Sequence, residues 1–386
     1  MIMKKLLTIA LALATLPAAA GDSVSGLAPE IRTEDLESCV HYLAGDECEG
    51  RLTGSEGALR AAKFIGAAFE SAGLSPVPGL EGYFQPITFK SGVRKVPDGN
   101  RFELRGADGD EGFEIGKEFD PLTFSGNGDA EGELIFVGYG LVEPADEGYD
   151  SYRGLDVKGK IVLSLRDLPE DVSAERRQEL ALYAGDRYKA KLAADRGAAG
   201  FIFVIGPNSP NGGELIRFRE TDRTAPISIP AATVTQAVAD RLLAAERKTI
   251  EELQGTLDDG TINPHAPAPR GGPLRLKVEL ERLEDSCNNV LGYLPPSPGV
   301  EELVVVGAHY VHIGTGVGLG SLAKQDEEGM IHNGADDNAS GTAVMMELAA
   351  ALSQARGTGD EPRRGVVFAA WSGEELGLVG SDHFAG

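Results

Sequence analysis

The chain has 386 residues, 42% hydrophobic and 25% charged, enough for two or three domains with a sizeable core. Acidic residues outnumber basic ones by 60 to 36, and the net charge of −24 argues against a nucleic-acid binder that works by neutralising phosphates. The composition is that of a globular protein, neither disordered nor repetitive.

Residues 1–20 open with Met1-Ile-Met-Lys4-Lys5, continue through an apolar run from Leu6 to Leu16 and reach Ala18-Ala19-Ala20. A basic start, a short apolar stretch and an Ala-x-Ala end predict a secretory signal peptide. The run is too short for a comfortable membrane span. The expectation is an exported protein, periplasmic or secreted, with no membrane association after signal cleavage. Three cysteines, Cys39, Cys48 and Cys287, leave at least one free thiol; buried free thiols are the expectation, with a Cys39–Cys48 pair in an oxidising compartment as the alternative.

A helix is predicted near Thr33 to Leu43, followed by a polar turn from Asp46 to Ser55. The next helix runs from about Gly57 to Ala72. Leu59, Ala62, Ile65 and Phe69 share its inner face, Ser55 caps its start and Gly73 ends it. Strands follow at Phe84–Lys90 and Phe102–Leu104. Leu134–Val137, Ile161–Leu165 and Phe201–Ile205 read as further strands, with a helix at Tyr183–Arg196. Thr261 to Pro273 is rich in Pro and Gly and reads as a linker. Beyond it, Asn289–Leu294 and Leu303–Val306 are predicted strands. Thr342–Leu352 is a helix with Val344, Met345, Leu348 and Leu352 inward. Val366–Trp371 is an apolar strand of the kind buried on both faces.

Three polar clusters interrupt this alternation. Gly307-Ala-His309-Tyr-Val311-His312 follows the strand ending at Val306. Asn333-Gly-Ala-Asp336-Asp337-Asn338-Ala-Ser-Gly341 precedes a helix. Ser372-Gly-Glu374-Glu375-Leu-Gly377 follows the strand ending at Trp371. Open α/β sheets bind ligands beyond the carboxyl ends of their strands, where imidazole and carboxylates suit zinc. Each cluster alone has a plainer reading: a structural histidine, an acidic helix cap, a solvated helical turn. Spacing alone leaves a binding module open.

These three motifs closely resemble the M28 family of zinc aminopeptidases. The turn from Asp46 to Gly54 and the helix after it are similar to the start of that family's catalytic domain. Val137-Gly-Tyr-Gly140 and Gly154–Ile161 resemble the protease-associated (PA) insert of many members. The resemblance implies a mixed, mostly parallel α/β sheet flanked by helices and interrupted by a smaller, β-rich α/β PA-type domain. Residues 27–127 and 274–386 would form the peptidase part and residues 128–270 the insert. It further implies two zinc ions, with His309 and Glu375 as ligands, Asp336 as the bridging carboxylate, Asp337 shaping the loop and Glu374 as general base. Peptides would be the substrates, cleaved at their N-terminal residue.

Two departures stand out. Val311 occupies a position where the family usually has an Asp hydrogen-bonded to the zinc histidine. The family also supplies an Asp and a His ligand well after the Glu-Glu motif, and His383 is the only histidine that follows it here. The expectation is a chain lacking the family's last strands. A catalytically impaired, peptidase-like binding protein and a glutaminyl-peptide cyclase-like enzyme are the alternatives.

Overall fold

The computed structural model describes residues 30–386 apart from 107–108, 145–147, 261–269, 317–328 and 356–362. The signal-peptide stretch and residues 261–269 of the expected linker lie outside the described residues. Helices α1 (Thr33–Leu43) and α2 (Glu56–Ser71) come first, separated by a tight 3-10 turn at Asp46–Arg51. They are followed by strands β1 (Phe84–Lys95), β2 (Arg101–Leu104), β3 (Glu111–Gly112), β4 (Phe119–Pro121), β5 (Gly128–Phe136) and β6 (Ile161–Leu165). Next come α3 (Ala174–Ala181), α4 (Asp186–Asp195), β7 (Gly200–Val204), β8 (Ala231–Val234), α5 (Gln236–Leu242), α6 (Ile250–Gly255) and β9 (Arg270–Val278). The remaining elements are β10 (Leu280–Leu294), β11 (Leu303–His309), α7 (Ser340–Ala355), β12 (Gly365–Trp371) and α8 (Val379–Ala385).

The fold is mixed α/β, and the chain divides at Ile87/Thr88 and Asp285/Ser286 into two compact units. In the first unit the sheet order is β1-β10-β12-β11. Central β12 pairs antiparallel with β10 and parallel with β11. Ala62, Ile65 and Phe69 of α2 pack with Met345, Met346 and Ala349 of α7 and with Phe368 and Ala370 of β12. The expected inner face of α2 is therefore buried, with Leu59 half-covered. The expected face of α7 needs correction: Met345 is buried, but Val344 and Leu352 are 48% and 42% exposed. The buried stripe runs instead through Ala343, Met346 and Ala350. With 3.6 residues per turn, a shift of one position rotates the face by about 100°.

Ser55 caps α2, its hydroxyl accepting the Ala58 N–H at 3.2 Å. Near this cap, Gly57 lies against the Asp46–Arg51 turn. A Cβ there would sit 2.0 Å from the Cys48 carbonyl oxygen. Alanine in a helix gains about 1 kcal/mol over glycine, whereas overpacking costs about 1–3 kcal/mol. The clash is with backbone and cannot swing away. Gly57→Ala is therefore expected to lower stability in denaturant unfolding, and a stabilised variant would show the turn to be free to move.

In the second unit the sheet order is β3-β2-β9-β5-β6-β7-β8-β4. Strands β5 to β8 pair in parallel and the outer pairings are antiparallel. Every residue of β6 and β7 is buried, as their largely apolar runs require. Residues 270–273 of the expected linker are strand, not linker, because β9 fills the place between β2 and β5.

Lys189 is wholly buried in this unit. Its ammonium donates to the Asp167 carbonyl at 2.6 Å and lies about 6 Å from the ring centres of Tyr139 and Phe203. Burial holds its pKa down at about 7, against the pull of Asp186 and Asp167. An unfolded lysine keeps its proton up to about pH 10.5, so between these values the unfolded state binds more protons and stability rises with pH. The stability difference between the wild type and Lys189→Met should shift in favour of the wild type across that window. A pH-independent difference would show the amine to be hydrated.

Candidate metal centre

Strands β11 and β12 run parallel with His309 opposite Trp371. Parallel neighbours expire at the same edge, so Val311-His312 and Glu374-Glu375 emerge side by side although more than sixty residues of sequence separate them. The irregular turn Ala335–Ala339 arrives at the same edge ahead of α7. The Thr342 hydroxyl donates to the His309 carbonyl at 2.9 Å and ties α7 to the end of β11. The loop after β12 is fixed by Asn289, which is fully buried. Its oxygen accepts the Ser372 N–H at 3.0 Å and its nitrogen donates to the Gly380 carbonyl at 2.8 Å.

His309 Nδ1 lies 3.1 Å from the Val311 carbonyl oxygen. A carbonyl only accepts, so Nδ1 carries the hydrogen and Nε2 presents its lone pair. Nε2 faces Asp337 Oδ1 at 3.1 Å, and Nδ1 is 4.0 Å from Glu374 Oε2. His312 Nδ1 is 2.8 Å from Glu375 Oε1 and 4.0 Å from Asp337 Oδ2. One ligand atom from each of His309, Asp337 and Glu375 lies within 4.8 Å of the others. One imidazole nitrogen and two carboxylate oxygens at this spacing fit a zinc ion by donor type and proximity.

Three of the four residues singled out from sequence, His309, Glu374 and Glu375, meet here. Asp336 does not join the donor group, and its neighbour Asp337 does. The turn is kinked at Asp337 (φ −115°, ψ 93°) and Asn338 (φ −136°, ψ 45°), which separates the directions of the two adjacent carboxylates. Asp336 contributes its main-chain carbonyl, which accepts the Ser340 hydroxyl at 3.0 Å. Val311 also differs from expectation. Its side chain accepts nothing, but its main-chain oxygen supplies the partner that His309 needs.

Sequence reading missed Arg51, which is completely buried. Its Nε donates to the Tyr310 carbonyl at 2.7 Å, Nη1 to the carbonyls of Leu43 and of Asn333 (2.8 Å to Asn333), and Nη2 to that of Gly334 at 2.7 Å. One side chain thus ties the end of α1, the exit of β11 and the turn carrying Asp337. A lone arginine in a polar turn carries no periodic signal, and the only hint is its place after Gly50, whose φ is 65°. All three cysteines are buried and outside any disulfide, and burial, then Glu347, pushes Cys39 up to about 12. Arg51→Met leaves four carbonyls without their donor, and each unsatisfied buried group costs about 1–3 kcal/mol. A loss of about 3 kcal/mol or more is expected in denaturant unfolding followed by the single tryptophan, Trp371. A loss below about 1 kcal/mol would mean that water replaces the guanidinium.

A sheet edge bearing an imidazole and several carboxylates from separate segments makes this an α/β fold with a candidate metal centre. Residues 289–386 match the sequence profile of Peptidase family M28, and residues 130–242 match that of the PA domain. Over these residues the chain is similar to an M28 peptidase segment accompanied by a PA domain. It is 24% identical to the glutamate carboxypeptidase 2 homolog of Caenorhabditis elegans over 92% of this chain and 49% of that protein. It is 28% identical to human transferrin receptor protein 2 over 70% of this chain and 34% of that one. Among solved structures, an aminopeptidase from Aneurinibacillus sp. strain AM-1 shares 21% identity at a TM-score of 0.43, over 91% of this chain and 65% of that one. The chain spans half or less of the length of these two curated relatives.

Proposed function

We propose that this chain is the metal-binding part of an exported zinc aminopeptidase, which hydrolyses N-terminal residues from peptides. The observation that carries this reading is the meeting of His309, Asp337 and Glu375 within 4.8 Å, with Glu374 beside them. Three carboxylates around two imidazoles form an acidic centre, and the nearby Arg51 spends its donors on carbonyls. Such a centre favours a cation. His309, Asp337 and Glu375 would hold zinc, with Asp337 taking the role that the motif alone suggested for Asp336. Resemblance to the family adds a second ion and two further ligands in the whole protein.

Bound zinc supplies Lewis acidity and lowers the pKa of water. The protein's own part falls to Glu374. On the edge beside the ligands, its carboxylate is suited to take a proton from the attacking water and return it to the leaving amine. The Val311 carbonyl keeps His309 in the tautomer that offers Nε2. Residues 1–20 support export.

Glu374→Gln keeps the shape but removes the base. In the whole protein, hydrolysis of an N-terminal aminoacyl substrate should fall about 100- to 10,000-fold while zinc stoichiometry is retained. Chelation should abolish the activity and added zinc restore it. Unchanged hydrolysis in Glu374→Gln would remove the base from the mechanism. A second reading, a peptidase-like binding protein, is favoured by the similarity to a protein named as a receptor. Protein that binds no zinc would support it.

A further inference from the structure

Outside the three donors, one side chain at this edge has no role in the reading above. His312 is partly buried, its side chain 13% exposed, and its ring is held on several sides. Its main-chain N–H donates to the Arg51 carbonyl at 3.1 Å. Its ring rests on Gly334, where φ is 58° and a Cβ would lie 2.6–2.7 Å from the ring carbons. Its Nδ1 is 2.8 Å from Glu375 Oε1. An ionised carboxylate only accepts, so this contact requires the hydrogen on Nδ1.

We propose that His312 is a positioning residue: its Nδ1–H holds one oxygen of Glu375 so that the other faces the metal. The inference rests on the metal-centre reading and goes beyond it by assigning a residue to Glu375. Ligating carboxylates need hydrogen-bond partners to fix their orientation, and losing such a partner costs about 10- to 100-fold in metal affinity or activity. Residues 309–312 would then supply one ligand and the anchors of two. His309 ligates, the Val311 carbonyl orients it, and His312 orients Glu375. A direct ligand role for His312 fits less well. Its Nδ1 is already engaged by Glu375, and it is not among the three mutually close donors.

The test compares zinc affinity, by competition with a chromophoric chelator, in the wild type, His312→Ala and His312→Asn. The asparagine amide can occupy the place of Nδ1–H, so it retains the donor without the imidazole. The alanine variant should bind zinc about 10- to 100-fold more weakly. The asparagine variant should recover most of that loss, and the cobalt-loaded proteins should keep their visible absorption spectrum. The zinc-free unfolding midpoint should stay unchanged in both. Wild-type zinc affinity in His312→Ala overturns the proposal. Equal losses in both variants with an altered cobalt spectrum also overturn it, in favour of direct ligation. A lowered zinc-free midpoint that accounts for the loss overturns it in favour of a folding role. Wild-type protein that binds no zinc sinks the metal centre itself, an outcome separate from the others.

Discussion

The candidate-site edge of the first unit depends on one buried guanidinium. Taking a charge out of water is costly unless polar partners replace its hydration. Arg51 finds them in four main-chain carbonyls from three stretches of chain. The planar fork suits this task, because its donors diverge in fixed directions where an ammonium offers a single point. Its partners are not the chemical residues themselves. They are Tyr310, next to His309, and Asn333 and Gly334, just before Asp337. The guanidinium therefore sets the path of the backbone, and the backbone delivers the side chains.

Strand direction does the rest. The parallel register of β11 and β12 brings both strand exits to one edge, and α7, tied to His309 through Thr342, brings the third segment there. An antiparallel pair would have put His309 and the paired glutamates at opposite ends of the sheet. The α/β class and the position of the candidate site are thus one fact seen at two scales. Asn289 completes the frame by holding the loop after β12 through its side-chain amide.

Much of this was legible in the residues. α1 falls at the expected Thr33–Leu43, and α2 is shifted by one residue from expectation, because helical periodicity and a Ser cap act locally. β6 matches its apolar run residue for residue. What was illegible has a common cause, which is that the deciding information is tertiary. Asp336 and Asp337 are chemically identical neighbours, and only a pair of backbone torsions selects between them. The face of α7 follows from where small alanines meet the sheet, and Val344 and Leu352 carry no mark of that. β9 begins within a Pro- and Gly-rich stretch because its two partner strands supply the pairing that local propensity lacks. Arg51 gave no pattern, since its partners are carbonyls that every residue possesses.

The anchor of His309 has a wider consequence. Because an amide oxygen orients the imidazole, the identity of the residue at 311 is released from that duty. Valine is then free to serve as core, and it is fully covered. Selection at this spot would act on the course of the polypeptide, through Gly334 and Arg51, and the lettering of position 311 could drift among apolar residues while the ring stayed aimed.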